Sequence, residues 1–193
     1  MKRAGCLTSV FLLIVAAAGA QQPPAAAQGG QKIGIAQSLQ NGYNNLKRNL
    51  TQAADKLSEA DYSFKPGTMP EVRNYGALFA HVAQAQFGQC SAVKGVPNPN
   101  QGKNLEEELK TKADITKALA DSFALCDEAF SSTTDENALQ TVRQGNNEVT
   151  RAAALYGVIV HGNEMYGTAA VYLRAKGVVP PSTEGRGRGR GGN

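Results

Sequence analysis

Residues 161–167 read His-Gly-Asn-Glu-Met-Tyr-Gly. His161 and Met165 stand four apart, so on a helix they leave nearly the same face. At that spacing a helix can offer two ligands to one metal ion, although a second imidazole would be the commoner partner than a thioether. The only other histidine is His81. A lone inward histidine is more often a hydrogen-bonded core residue than a ligand. Two inward histidines on different helices favour a shared site, because neutral imidazole is a common metal ligand. Other chemistries lack a local signature. No Ser-His-Asp or Cys-His pattern is present, and no glycine-rich loop follows a strand. The acidic run Glu106–Glu108 reads as helix N-terminal charge complementing the dipole, not as a metal cluster.

Helical periodicity must position these residues, and it recurs in four places. Leu39, Tyr43, Leu46, Leu50, Ala53 and Leu57 mark a first helix over residues 35–58. The following segment, EADYSFKPGTMPEVRN, carries Pro66, Gly67 and Pro70 and reads as a loop. Asn74 is the expected N-cap of a second helix over 75–93, closed by Gly95. Its inward stripe is Leu78, His81, Val82, Ala85 and Gly88. After an extended, proline-stiffened link, Asn104 is expected to cap a third helix, with Glu107 completing a capping-box-like start. Leu105, Leu109, Ile115, Leu119, Ser122, Cys126 and Phe130 mark its buried face. SSTTDENALQTVRQGNN reads as a polar connection holding at most a turn of helix. The fourth helix is expected over 148–176, ending at Gly177, with Ala154, Val158, His161, Met165, Ala169 and Tyr172 inward. No alternation runs far enough to build a sheet. The expected architecture is all-α, a four-helix bundle.

The two ends read differently. Lys2 and Arg3, the apolar run CLTSVFLLIVAAA and the small residues Ala18 and Ala20 form a secretory signal peptide over residues 1–20. The apolar run is shorter than the roughly 20 residues a membrane span needs. A flexible leader over 21–31 precedes the domain at 32–179, and an Arg/Gly-rich tail, 180–193, follows it. Removing Lys2 and Arg3 leaves 18 basic against 16 acidic residues, and Arg186, Arg188 and Arg190 lie in the tail. The folded part is thus near neutral, which argues against a specific nucleic-acid surface. Export implies a periplasmic or secreted protein, and the pair remaining after Cys6 is removed, Cys90 and Cys126, is then expected to form a disulfide.

Two stretches resemble a known family. FKPGTMPEVRNYGALFAHVAQAQ is similar to the proline-rich turn and metal-binding second helix of the DinB/YfiT-like superfamily. RAAALYGVIVHGNEMYGTAAVYLRAKGVVPPSTE resembles that superfamily's fourth helix, with its His-x3-His pattern, Tyr-Gly and closing Leu-Arg-x-Lys-Gly. The resemblance spans about residues 35–183. It implies a DinB-like bundle with helices in up-down-down-up order and a three-histidine site for zinc, nickel or a similar divalent ion. Transferred position by position, His81 is the second-helix ligand, His161 the first fourth-helix ligand, and Met165 occupies the third place. Helices 2 and 3 would then run parallel. Cys90 lies about sixteen residues into one and Cys126 about twenty-two into the other, roughly 24 and 33 Å along. A bridge between them is expected to pin that parallel pair.

The substitution at Met165 shapes the functional expectation. A catalytic zinc keeps three protein ligands and an open position. Met is a soft, neutral donor that weakens binding of borderline divalent ions, and it fills irregular gaps well. A degenerate His-His-Met site, a relic pocket repacked by Met165, is therefore preferred over a functional Zn or Ni centre, with a Cu(I)-type site ranked below both. The expected function is binding of a small molecule or protein in the bundle pocket, with no cofactor required. Two alternatives are a metal-dependent hydrolase or thiol transferase using His81 and His161, and an envelope-associated structural protein. A homodimer is one assembly the fold allows.

Overall fold

The computed structural model describes residues 31–184. The signal segment 1–20, nearly all of the leader, and the tail beyond Glu184 lie outside the described residues. Helix α1 covers Ile35–Lys56 and buries Leu39, Tyr43, Leu46, Leu50 and Ala53 along one face, with Leu57 just beyond it. Gly34 offers no side chain to cap α1, and Asp135 replaces it by accepting from the Ala36 amide at 2.7 Å. At the other end, Lys112 Nζ donates to the carbonyls of Asp55 and Leu57, where a cation is favourable.

Helix α2, Tyr75–Lys94, begins at Asn74, whose side chain accepts from the Ala77 amide. It ends at Gly95, which holds a φ of 67°, a left-handed conformation natural to glycine. The expected loop before it contains a 3-10 turn, Glu59–Ser63. The third helix begins later than expected. Asn104 makes no side-chain cap, α3 is a single turn, Leu105–Glu108, and the long helix α4 runs Lys112–Ser131. Thr111 is the true cap: its hydroxyl accepts from the Asp114 amide and donates to the Asp114 carboxylate. Thr-x-x-Asp satisfies the exposed donors of the first turn better than Asn104 does.

The connection after α4 corrects a second expectation. It contains an antiparallel hairpin, β1 (Thr141–Gln144) and β2 (Asn147–Thr150), with Val142 opposite Val149. Gly145, at φ 62°, turns the two-residue loop, and Gly-Asn is a recognised hairpin pair. Because β2 uses Glu148–Thr150, the last long helix, α5, starts at Arg151 and runs to Ala175, capped by Thr150. A short α6, Pro181–Glu184, follows within the stretch read as tail.

Side-chain contacts fix the helix directions. Moving up α2, Gly76 meets Ile115, Gln86 meets Ser122, Cys90 is bonded to Cys126, and Lys94 pairs with Glu128. Both series rise, so α2 and α4 run parallel. The same holds for α1 and α5, where Gly42 lies by Ile159 and Leu46 by Gly162. Tyr43 contacts Phe123 and Asp127 while Leu57 meets Lys112, so α1 and α4 are antiparallel. Tyr75 packs near Tyr172 and His81 near His161, so α2 and α5 are antiparallel too. The order is up-down-down-up. The Cα atoms of Cys90 and Cys126 lie 5.2 Å apart, within bridging range. With α4 starting at Lys112, the two cysteines are the sixteenth and fifteenth residues of their helices, at the same level.

Candidate functional site

His81 sits in the second turn of α2 and His161 near the middle of α5. The antiparallel packing of these helices brings the imidazole centroids to 5.1 Å, with the rings tilted by 69°. Close approach of α1 and α5 supports this level of the bundle. Gly162 lies against Leu46, and a Cβ there would come within 2.5 Å of Leu46 Cδ2. Met165, one turn beyond His161, is buried in the core. His81 is only partly buried, and Ala85 and Gly88 of the expected inward stripe line a groove instead of the core.

Two residues that sequence reasoning passed over complete the surroundings. Glu106 of α3 accepts from His81 Nδ1 at 2.6 Å, and Arg73 Nε donates to the other carboxylate oxygen at 2.7 Å. Arg73 Nη2 also approaches His81 Nδ1 at 3.3 Å. One nitrogen cannot donate to the carboxylate and accept from the guanidinium together. The shorter, charge-assisted contact decides, so His81 Nδ1 donates to Glu106. Burial alone would raise the Glu106 carboxyl, but its bonds to Arg73 and His81 outweigh burial and hold it below its ordinary value. Arg73 is itself anchored through its carbonyl, which accepts from Tyr172 Oη at 2.8 Å. The acidic run therefore does more than complement a helix dipole: Glu106 orients His81.

His161 is held differently. Its Nε2 is buried without a hydrogen-bond partner, and its Nδ1 lies 3.7 Å from Glu164 Oε2. That distance is too long for a hydrogen bond but near enough for the carboxylate to favour a proton on Nδ1. Burial pushes the His161 pKa below 6.5, His81 and Arg73 act in the same direction, and Glu164 opposes them. His161 is thus neutral at pH 7. An unpaired buried nitrogen costs about 1–3 kcal/mol, a cost that a pocket repacked only for stability would shed.

An open groove of about 530 Å³ begins at His81 and follows α2 towards the hairpin tip, lined by Gln84, Ala85, Gly88, Gln89, Asn98 and Gln144. Its lining is rich in amides, and Gln89 Oε1 is buried there without a partner. The groove offers hydrogen-bonding groups but no concentrated charge.

These helices have known counterparts. The profile of the DinB superfamily matches residues 44–169, from the middle of α1 to the last third of α5. The chain belongs to the DinB superfamily. Its fold is shared with a DinB-like protein from Bacillus cereus ATCC 10987, at 17% identity and a TM-score of 0.61, covering 74% of this chain and 93% of that one. A conserved protein from Enterococcus faecalis gives 17% identity and a TM-score of 0.59, with 74% and 97% covered. A DinB-like protein from Bacillus subtilis gives 19% and 0.54, with 72% and 92% covered. No curated protein matches the chain.

The metal that the family resemblance implies can be tested against the residues present. The structure brings His81 and His161 together across α2 and α5, and the orphaned Nε2 of His161 is a ligand-like feature. Among the described residues, however, no group of three His, Cys, Asp or Glu side chains is placed to hold an ion. Glu106 lies nearby but is engaged by Arg73 and His81. A three-ligand zinc or nickel centre does not fit this set.

Proposed function

We propose that this chain is an exported DinB-like bundle that binds a small ligand where the His81–His161 pair meets the α2 groove, without divalent-metal catalysis. The observation that carries the reading is the buried, unpartnered Nε2 of His161 on a ring centred 5.1 Å from that of His81, with no group of three His, Cys, Asp or Glu placed to hold an ion among the described residues. A site kept open at one nitrogen and lacking the anionic or imidazole donor a catalytic ion needs is suited to binding. The amide-lined groove supports the same reading, since few, fixed polar groups beside apolar surface are typical of ligand sites. The Cys90–Cys126 bond supports export, because such bonds persist in oxidising compartments.

Metal analysis of untagged protein, with Zn(II) and Ni(II) calorimetry on wild type and Met165→His, tests this reading. The wild type should carry no stoichiometric divalent ion, and Met165→His should gain one. Stoichiometric zinc in both proteins would overturn the reading and return the metal-dependent enzyme. Absence in both would mean that the two imidazoles are not arranged as described.

A further inference from the structure

We propose that the cleft between the last turns of α2 and strand β1 binds the phosphate group of a small, soluble phosphate monoester. The cleft is a groove of about 470 Å³ lined by Lys94, Gly95, Thr141, Arg143, Gly145 and Arg151, among others, with no acidic side chain in its wall. It stands apart from the histidine pair, since His81 lies about 20 Å down α2 from Lys94 at a rise of about 1.5 Å per residue. The inference goes beyond the reading of that pair and uses none of its residues.

Unmatched charge is the first argument. Lys94 is paired with Glu128. Arg143 uses only its Nε, which donates to the Gly145 carbonyl at 3.3 Å within the hairpin. Arg151 makes no side-chain hydrogen bond among the described residues, and its Nε is buried without a partner. Neither arginine belongs to an ion pair among the described residues. Glu148, opposite Arg143 in the hairpin register, is exposed and lies outside the wall of the cleft. A buried donor on a cation is costly to leave unmet, and a bound oxyanion meets it.

Position sharpens the argument. Arg151 is the first residue of α5, and no acidic residue stands in that helix's first turn. A cation there opposes the positive end of the helix dipole, where stability alone favours Asp or Glu. The helix amides do not supply the site, because those of Arg151, Ala152 and Ala153 already donate to Gln140, Ala138 and Thr150. The ligand is therefore held by side chains. With Lys94 offset by Glu128, the charge of two arginines remains, which matches a phosphate monoester at about −1.5 to −2 near pH 7. Guanidinium forks suit the paired oxygens of phosphate, and Thr141 adds a hydroxyl to the wall. The cleft shares Ala92 and Gly145 with the amide-lined groove, so the substituent of the ester has a path along α2.

The test is calorimetric titration of untagged protein with inorganic phosphate and with phenyl phosphate in a low-salt chloride buffer. One saturable site per chain is expected, and phosphate should raise Tm. Arg143→Gln and Arg151→Gln should each weaken binding at least about tenfold, the scale of a lost charge-assisted bond. Without phosphate, Arg151→Gln should melt no lower than the wild type, because the cation it removes opposes the α5 dipole. A merely structural arginine would lower Tm instead. Lys117→Gln, on the exposed face of α4, should bind phosphate as the wild type does. No saturable site, or equal binding by a variant carrying both arginine substitutions, would overturn the proposal, the second outcome placing the anion on the tail arginines. Succinate bound as tightly as phenyl phosphate would overturn the phosphate assignment, and binding to phosphatidate vesicles alone would overturn the soluble ester.

Discussion

Replacing Cys90 and Cys126 by alanine probes the parallel α2–α4 pair that places His81. The bridge spans 36 residues of sequence. For a loop of that length the chain-entropy relation gives about 4 kcal/mol of stabilisation at 25 °C, through restriction of the unfolded chain. Both residues are fully buried, so loss of their sulfurs adds to this figure. A domain of this size loses roughly 2–4 °C of Tm for each kcal/mol, so the double variant should melt about 8–16 °C lower. Urea unfolding followed by circular dichroism, with the wild type measured oxidised and reduced, gives the free energy directly. Reduction alone should reproduce most of the loss. A loss below about 1 kcal/mol, or a free thiol count of two in oxidised protein, would refute the reasoning, because the closed loop follows from the bond itself.

Two further outcomes follow from the site. Gly162→Ala would drive a Cβ to 2.5 Å from Leu46 Cδ2, and Leu46 is fully buried and cannot swing aside. The helix-propensity gain of up to about 1 kcal/mol is then outweighed by overpacking of about 1–3 kcal/mol, so chemical denaturation should show net destabilisation; a more stable variant would mean that α1 and α5 are not this close. In metal-free protein His161 has a lowered pKa, owing first to burial and then to His81, so below pH 6.5 the unfolded chain binds the proton more readily than the folded one. Stability should therefore be complete above that value and fall on acidification towards pH 5. His161→Gln should flatten the slope of urea midpoint against pH, and an unchanged slope would assign the effect to other groups.

Much of the scaffold was legible because long amphipathic helices announce themselves through period. The buried faces of α1 and α5 and the Asn74 cap follow from residue spacing alone, whereas helix order rested on family resemblance. The missed features are short or non-local. The hairpin has four-residue strands with mixed polarity, too brief for alternation to register, although Gly145-Asn146 marks its turn. Thr111 and Asp114 carried a capping-box pattern that the earlier Asn104 obscured. At the site, His161 and Met165 were visible because one helix carries both. Arg73 and Glu106 were not, because they lie 33 residues apart and meet only when α3 folds over the start of α2. No local pattern announces such a contact. Equally, nothing in the spacing could show that His161 Nε2 is left without a partner.

The central claim is that the His81–His161 pair is a binding site that lacks the third donor of a divalent centre. Its most direct test is a pair of crystal structures soaked in Zn(II), one of the wild type and one of Met165→His. The account expects an anomalous peak between His81 and His161 in the variant crystal and none there in the wild type. A zinc peak on the imidazole pair of the wild type, or an empty position in the variant, would contradict it.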